Sequence, residues 1–290
     1  MTLPEPTLET RAYAGTYYVR RGKLPEAGTQ GEAILLIDKT APVGHWLRGE
    51  GLLAQDQADE ARKAFTEAVA LERNPRYLDA QGRATERLSA QRNNDIGLQD
   101  AALRAYISAT DGDKALFTAQ IGQGRLYVVR REMTKAIPPL IVATQLRPDS
   151  ADAAALLGAA YQGAGVKNTA IQWLKQANKL KPASEAYYRL GQLYTDPEIN
   201  EAGPAADAYS RATQLAFDEM KAKGTSQPGW YADALYATGR LNFDLGNEYA
   251  AKRAWEQWLG LKPPPAPGAK RTEVERALAT SLKSVGNSNP

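Results

Sequence analysis

The chain has 290 residues, 43% of them apolar, enough to bury a substantial core in one large or two ordinary domains. Its 36 lysines and arginines face 33 aspartates and glutamates, a balance too even for a strong polyanion-binding field, which disfavours nucleic acid as a partner. The lack of cysteine excludes disulfides, thiolate catalysis and cysteine zinc sites together, and any histidine chemistry would rest on His45 alone.

Residues 1–7 read as an N-terminal tail. The opening MTLPEPTLET lacks the basic and then apolar pattern of a secretory signal, and no run of about 18 apolar residues offers a membrane span. A native start at Met1 implies the cytoplasm; a removed signal would imply the periplasm or the cell envelope.

From there a glycine recurs with an apolar residue three positions on and an alanine twelve positions on. Gly15 has Tyr18 and Ala27, Gly49 has Leu52 and Ala61, Gly124 has Tyr127 and Ala136, and Gly158 has Tyr161 and Ala170. Gly15 and Gly49 stand 34 residues apart, as do Gly124 and Gly158. Three further copies keep the glycine and alanine but vary what lies around them: Gly82 with Ala102, Gly191 with Ala205, and Gly239 with Ala251. Four residues after the alanine comes Phe65, Tyr106, Leu140, Leu174, Tyr209 or Trp255, with Gly31 as the exception. This is helical spacing, and Pro148, Pro182 and Pro263 close three of the copies. A small residue in each helix lets two backbones approach, and the bulky residues are expected to fill the gap toward the next pair.

The pattern resembles the tetratricopeptide repeat, a helix–turn–helix unit of about 34 residues with Leu-Gly-x-x-Tyr in its first helix and Ala-x-x-x-Phe-x-x-Ala in its second. Leu157, Gly158 and Tyr161, then Ala170, Leu174, Ala177 and Pro182, match it most fully. The resemblance implies an all-α, right-handed superhelical solenoid of about seven repeats. Its units lie near 8–41, 42–75, 76–112, 113–149, 150–182, 183–228 and 229–263. In the unit at Gly82 the second helix is expected about eight residues late, after the polar stretch 89–95. The sixth unit is overlong, its second helix running from Ala205 to about Lys223. A proline-rich spacer at 264–270 precedes a capping helix at 271–284 and a tail at 285–290.

No chemical motif survives its context. Gly163-Ala164-Gly165-Val166-Lys167-Asn168-Thr169 holds the residue types of a phosphate loop, but its lysine does not follow the second glycine and no strand precedes it. It reads as a helix end and turn. Asp111-Gly112-Asp113 begins like a calcium loop, yet Gly122 stands where the glutamate is needed; a turn and a helix N-cap are expected there instead. Gly122-Gln123-Gly124 sits in helical register, His45 beside Trp46 reads as a surface or packing residue, and Glu198 and Glu201 lie in a polar turn. Arg20-Arg21 and Arg130-Arg131 end first helices, where cations complement the helix dipole, with a basic rim as the alternative. No enzyme activity, cofactor or metal is expected.

The resemblance further implies that first helices line an inner groove that takes a peptide or a segment of another protein. Inward positions fall three before and one or four after each glycine. They include Trp46, Glu50 and Leu53; Asp79, Arg83 and Glu86; Ile121 and Arg125; Tyr188 and Gln192; and Tyr236, Arg240 and Phe243. The lysines and asparagines of a chaperone C-terminal carboxylate clamp are missing from these positions. Tyr188, Gln192, Tyr236, Arg240 and Phe243, with Arg83 and Arg125, are the candidate partner-binding residues, Arg240 being poised for a carboxylate. The expected function is a scaffold or adaptor in a bacterial multiprotein assembly. The alternatives are an accessory module of a larger enzyme or sensor and, less favoured, a nucleic-acid-binding repeat protein. The overlong helix at 205–223 or the C-terminal end could carry a homo-oligomer contact.

Overall fold

The computed structural model describes residues 6–286, and among these it contains fifteen α-helices and no strand. They divide into two compact units, one ending at Pro148 and the other beginning at Asp149. The first unit holds α1 (Leu8–Arg20), α2 (Leu24–Ile37), α3 (Pro42–Ala54), α4 (Ala58–Leu71), α5 (Pro75–Gln91), α6 (Ile96–Gly112), α7 (Phe117–Val129) and α8 (Met133–Leu146). The second holds α9 (Ala151–Gly163), α10 (Lys167–Leu180), α11 (Ser184–Tyr194), α12 (Ala202–Lys223), α13 (Tyr231–Asp244), α14 (Glu248–Leu259) and α15 (Ala269–Gly286). Within each unit odd-numbered helices pack on the even-numbered helix that follows, and α1 with α3, α3 with α5, α5 with α7 and α9 with α11, the first helices of their pairs, also touch. Residues 1–5 of the expected N-terminal tail and 287–290 of the expected C-terminal tail lie outside the described residues.

Local chemistry sets the helix ends. Side-chain oxygens of Thr7, Asn74, Asp95 and Ser150 accept from backbone N–H groups of the first turns of α1, α5, α6 and α9. Prolines open α3 and α5, where the missing N–H costs nothing. Gly165, at φ +80°, makes the left-handed turn between α9 and α10, so the glycine-rich stretch is a connector. Gly224, at φ +63°, ends the 22-residue α12 in the same way. One cap differs from expectation. Asp113 accepts from Ala115 N–H within the connecting turn, while α7 begins after Leu116 without a side-chain cap, because its N-terminus lies three residues farther on.

The core repeats one contact. A Cβ added to Gly49 would lie 2.5 Å from the Phe65 ring, to Gly82 2.7 Å from Tyr106, to Gly124 2.4 Å from Leu140, to Gly158 2.7 Å from Leu174, to Gly191 2.7 Å from Tyr209, and to Gly239 2.2 Å from Trp255. Each bulky residue therefore covers the glycine of its own pair, where the sequence reading had put it in the gap toward the next pair. The reason is geometric: a residue sixteen or more positions later returns along the antiparallel helix to the glycine's level, and only a bare Cα leaves room for it. Phe65, Tyr106, Leu140 and Leu174 are fully buried there, each worth about 1.5–3 kcal/mol in surface withdrawn from water. Ala27, Ala61, Ala102, Ala136, Ala170, Ala205 and Ala251 are also buried, within 1% of complete.

The pair built on Gly15 departs from this rule. Gly31 stands where the others carry a large side chain, and Leu47 of α3 fills the space over Gly15 instead, 2.3 Å from a hypothetical Cβ. Helices α2 and α3 then meet backbone to backbone. A Cβ on Gly31 would lie 2.4 Å from the Arg48 nitrogen, and one on Gly28 2.9 Å from Gly51 Cα. Glycine is required on both sides of this seam.

Candidate functional site

The inward positions of the first unit form a charged ladder between first helices. Glu50 of α3 is 2% exposed; its Oε1 accepts from Trp46 Nε1 at 3.1 Å and from Arg83 Nη2 of α5 at 2.5 Å. Arg83 also donates its Nε to Asp79 Oδ2 at 3.2 Å. One rung farther, Glu86 of α5 accepts from Tyr106 Oη at 2.7 Å and from Arg125 Nη1 of α7 at 2.9 Å. Burial opposes the charge on Arg83, but Glu50 and Asp79 overcome it and hold the guanidinium above its ordinary value. Burial pushes the Asp79 carboxyl up, against the pull of Arg83, and Asp79 Oδ1 is buried without a hydrogen-bond partner. A cavity of about 430 Å³ opens on this ladder, lined by Leu53, Arg83, Glu86, Arg87, Ile121 and Arg125 among others.

In the second unit the corresponding contacts are amide and aromatic. Gln162 of α9 donates to Gln192 of α11 at 3.3 Å and accepts from Arg189 at 3.2 Å, and Gln192 donates to Tyr188 Oη at 3.1 Å. Trp230, at the start of α13, stacks on Tyr188 with centroids 4.7 Å apart and planes 16° apart. Tyr188 also tilts against Tyr209 at 5.8 Å. At the end of this unit Tyr236 Oη donates to Glu273 Oε2 of α15 at 2.7 Å, and Arg240 Nη1 donates to Glu273 Oε1. The Tyr236 hydrogen bond, aided by Arg240, holds the Glu273 carboxyl below its usual range.

No protein-family model matches the chain, and no curated protein sequence matches it. Solved structures do match in fold. The structure from the functional characterization of Pseudomonas aeruginosa pilF aligns over 82% of this chain and 98% of its own, with a TM-score of 0.59 and 16% identity. MamA from residue 41 to the end, from Desulfovibrio magneticus RS-1, aligns over 60% of this chain and 94% of its own, at a TM-score of 0.52 and 20% identity. A tetratricopeptide repeat protein from Parabacteroides merdae aligns over 95% and 98%, at 0.51 and 14%. The fold is that of the tetratricopeptide repeat.

Viewed on this fold, the seven candidate residues are dispersed. Arg83 and Arg125 share the cavity of the first unit. Tyr188 and Gln192 share the aromatic and amide patch of the second. Tyr236 and Arg240 meet α15 of their own chain, so the carboxylate expected from a partner is supplied by Glu273 in this conformation. Phe243 packs on Trp255 at 5.5 Å. Val274 is fully buried against the core formed by Leu235, Trp255 and Trp258, so α15 occupies the place of a further first helix. Sequence reasoning missed Trp230 and Glu273. The signal for Glu273 was available: it lies 33 residues after Arg240, as Arg83 lies 33 after Glu50.

The rejected motifs have plain structural duties. Lys167 pairs with Asp196 at 2.6 Å and Glu198 at 3.0 Å, His45 Nε2 contacts the Lys39 carbonyl at 2.9 Å, and Gly122 makes room for the Tyr106 ring. Arg130 is held by Asp100 and Glu132, and Arg21 lies over the Tyr17 ring. Among the described residues no three His, Asp or Glu side chains converge as a metal site, and no helix is long and apolar enough to cross a membrane.

Proposed function

We propose that this chain is a non-catalytic scaffold that holds a segment of another protein on the faces built from its first helices, within a bacterial multiprotein assembly. The observation that carries the reading is the cavity on α3, α5 and α7, lined largely by the inward positions that the repeat pattern assigns to ligands. Its apolar residues Leu53 and Ile121 lie beside arginines with exposed ends, the mixture that anchors peptide side chains and fixes their orientation. The bacterial sources of the fold neighbours suit the assembly role.

The test begins with selection of peptides from a random library on the purified chain, followed by hydrogen exchange with and without a selected peptide. Protection concentrated in the odd-numbered helices is expected. Protection confined to the even-numbered helices would overturn the assignment of the face.

A further inference from the structure

The arginines that line the cavity on the first unit keep unspent hydrogen-bond donors, while its one lining carboxylate, Glu86, is already engaged from within. Glu50 takes Trp46 and two nitrogens of Arg83, and Glu86 takes Tyr106 with one oxygen and Arg125 with the other. Arg87 spends only its Nε, on Asp56 at 2.7 Å, and Arg125 only one Nη, on Glu86. Both side chains remain open to solvent, 58% and 45% exposed. Two guanidinium groups with unused N–H groups thus line the cavity beside the apolar Leu53, Ala90 and Ile121.

We propose that this cavity receives an aspartate or glutamate flanked by an apolar residue in an extended segment of another protein. The carboxylate bridges Arg87 and Arg125, where guanidinium forks match it in geometry and charge, and the apolar neighbour rests on Leu53, Ala90 and Ile121. Charge complementarity selects this occupant over its rivals. A lysine or arginine would meet Arg83, Arg87 and Arg125 on the lining against the single carboxylate of Glu86. A polyanion would find no extended positive field, because Glu50, Asp56, Asp79 and Glu86 each pair with Arg83, Arg87 or Arg125. A single carboxylate needs only the two local forks.

The inference rests on the scaffold reading and deepens it. It is tested by fluorescence anisotropy of the full chain with a short labelled, end-capped peptide that carries one aspartate between two leucines in a frame of glycine and serine. Counterparts carry asparagine or lysine in place of aspartate. The aspartate peptide is expected to bind at least tenfold more tightly than either, and Arg87→Gln/Arg125→Gln to abolish that preference with helical circular dichroism unchanged. Inorganic phosphate at matched ionic strength should compete no better than chloride. If the double variant loses helix, Arg87→Gln alone, whose only bond is to exposed Asp56, should still reduce the preference severalfold. Equal binding of the three peptides, an undiminished preference in a folded variant, or specific displacement by phosphate would each overturn the proposal. Failure here combined with library peptides that protect odd-numbered helices would leave the scaffold reading standing; protection confined to even-numbered helices would remove both.

Discussion

The seam between α2 and α3 and the pairings within the other six repeats solve the same packing problem in opposite ways. In the six, a glycine accepts a large side chain, so the contact is small against large and the filler is a movable group such as Leu174 or a ring such as Trp255. In the seam, Gly28 meets Gly51 and Gly31 meets the backbone at Gly44 and Arg48, so nothing between the helices can move aside. The difference teaches that glycine in this fold has two uses with different tolerances. One is a socket for a side chain and the other is a contact of main chains.

Breaking the two uses should rank them. Gly31→Ala places a Cβ against fixed backbone atoms and is expected to cost about 3 kcal/mol or more, measured as a shift of the urea unfolding midpoint of the full chain. Gly239→Ala meets a rigid indole at 2.2 Å and should cost about 2 kcal/mol by the same measurement. Gly158→Ala meets Leu174 Cγ at 2.7 Å and its backbone nitrogen at 3.1 Å, so the side chain must swing about χ1, and should cost about 1–2 kcal/mol. Equal losses at Gly31 and Gly158 would erase the distinction between seam and socket.

A smaller effect, in the opposite direction, sharpens the contrast between these apolar contacts and the charged ladder. Burial raises the Asp79 carboxyl, so the folded chain holds a proton there at pH values where the unfolded chain has released it, and ionisation above that window costs stability. Asp79→Asn should therefore gain stability relative to the parent chain at pH 7, with the gain fading as pH falls from the raised folded value to the ordinary carboxylate value. Thermal unfolding at neutral and acid pH reads this directly; a loss at pH 7 would mean that the Arg83 ion pair outweighs the cost of burial.

Most of the architecture was legible because its decisive contacts are short in sequence. Gly158, Ala170 and Leu174 lie in one helix pair, and their spacing marks the pair and its close-contact positions, though not that Leu174 covers Gly158 itself. The α2–α3 seam was not legible, because Gly28, Gly31, Gly44 and Gly51 break the pattern and pair across repeats; Gly31 looked like a missing bulky residue. The inward positions were readable one at a time, as Arg83 and Arg125 show, but their mutual neutralisation depends on which carboxylates the neighbouring first helices present. Trp230 escaped because it stands in the connector after Gly224, outside the glycine-based register, and only the fold brings it over Tyr188.

The charged ladder also bears on how such a chain can change length. Arg83 and Arg125 both follow the repeat glycine by one residue, and Arg83 already reaches back to a carboxylate on the preceding first helix. Loss of α5 and α6 as a block would remove Asp79, Arg83 and Glu86 together and present Arg125 to Glu50, while duplication of that block would present a second Arg83 to Glu86. Either recombination event keeps one arginine for each ladder carboxylate, although Glu50 stands one and Glu86 four residues after its glycine, so the exchanged arginine must reach across one helical turn to close the junction.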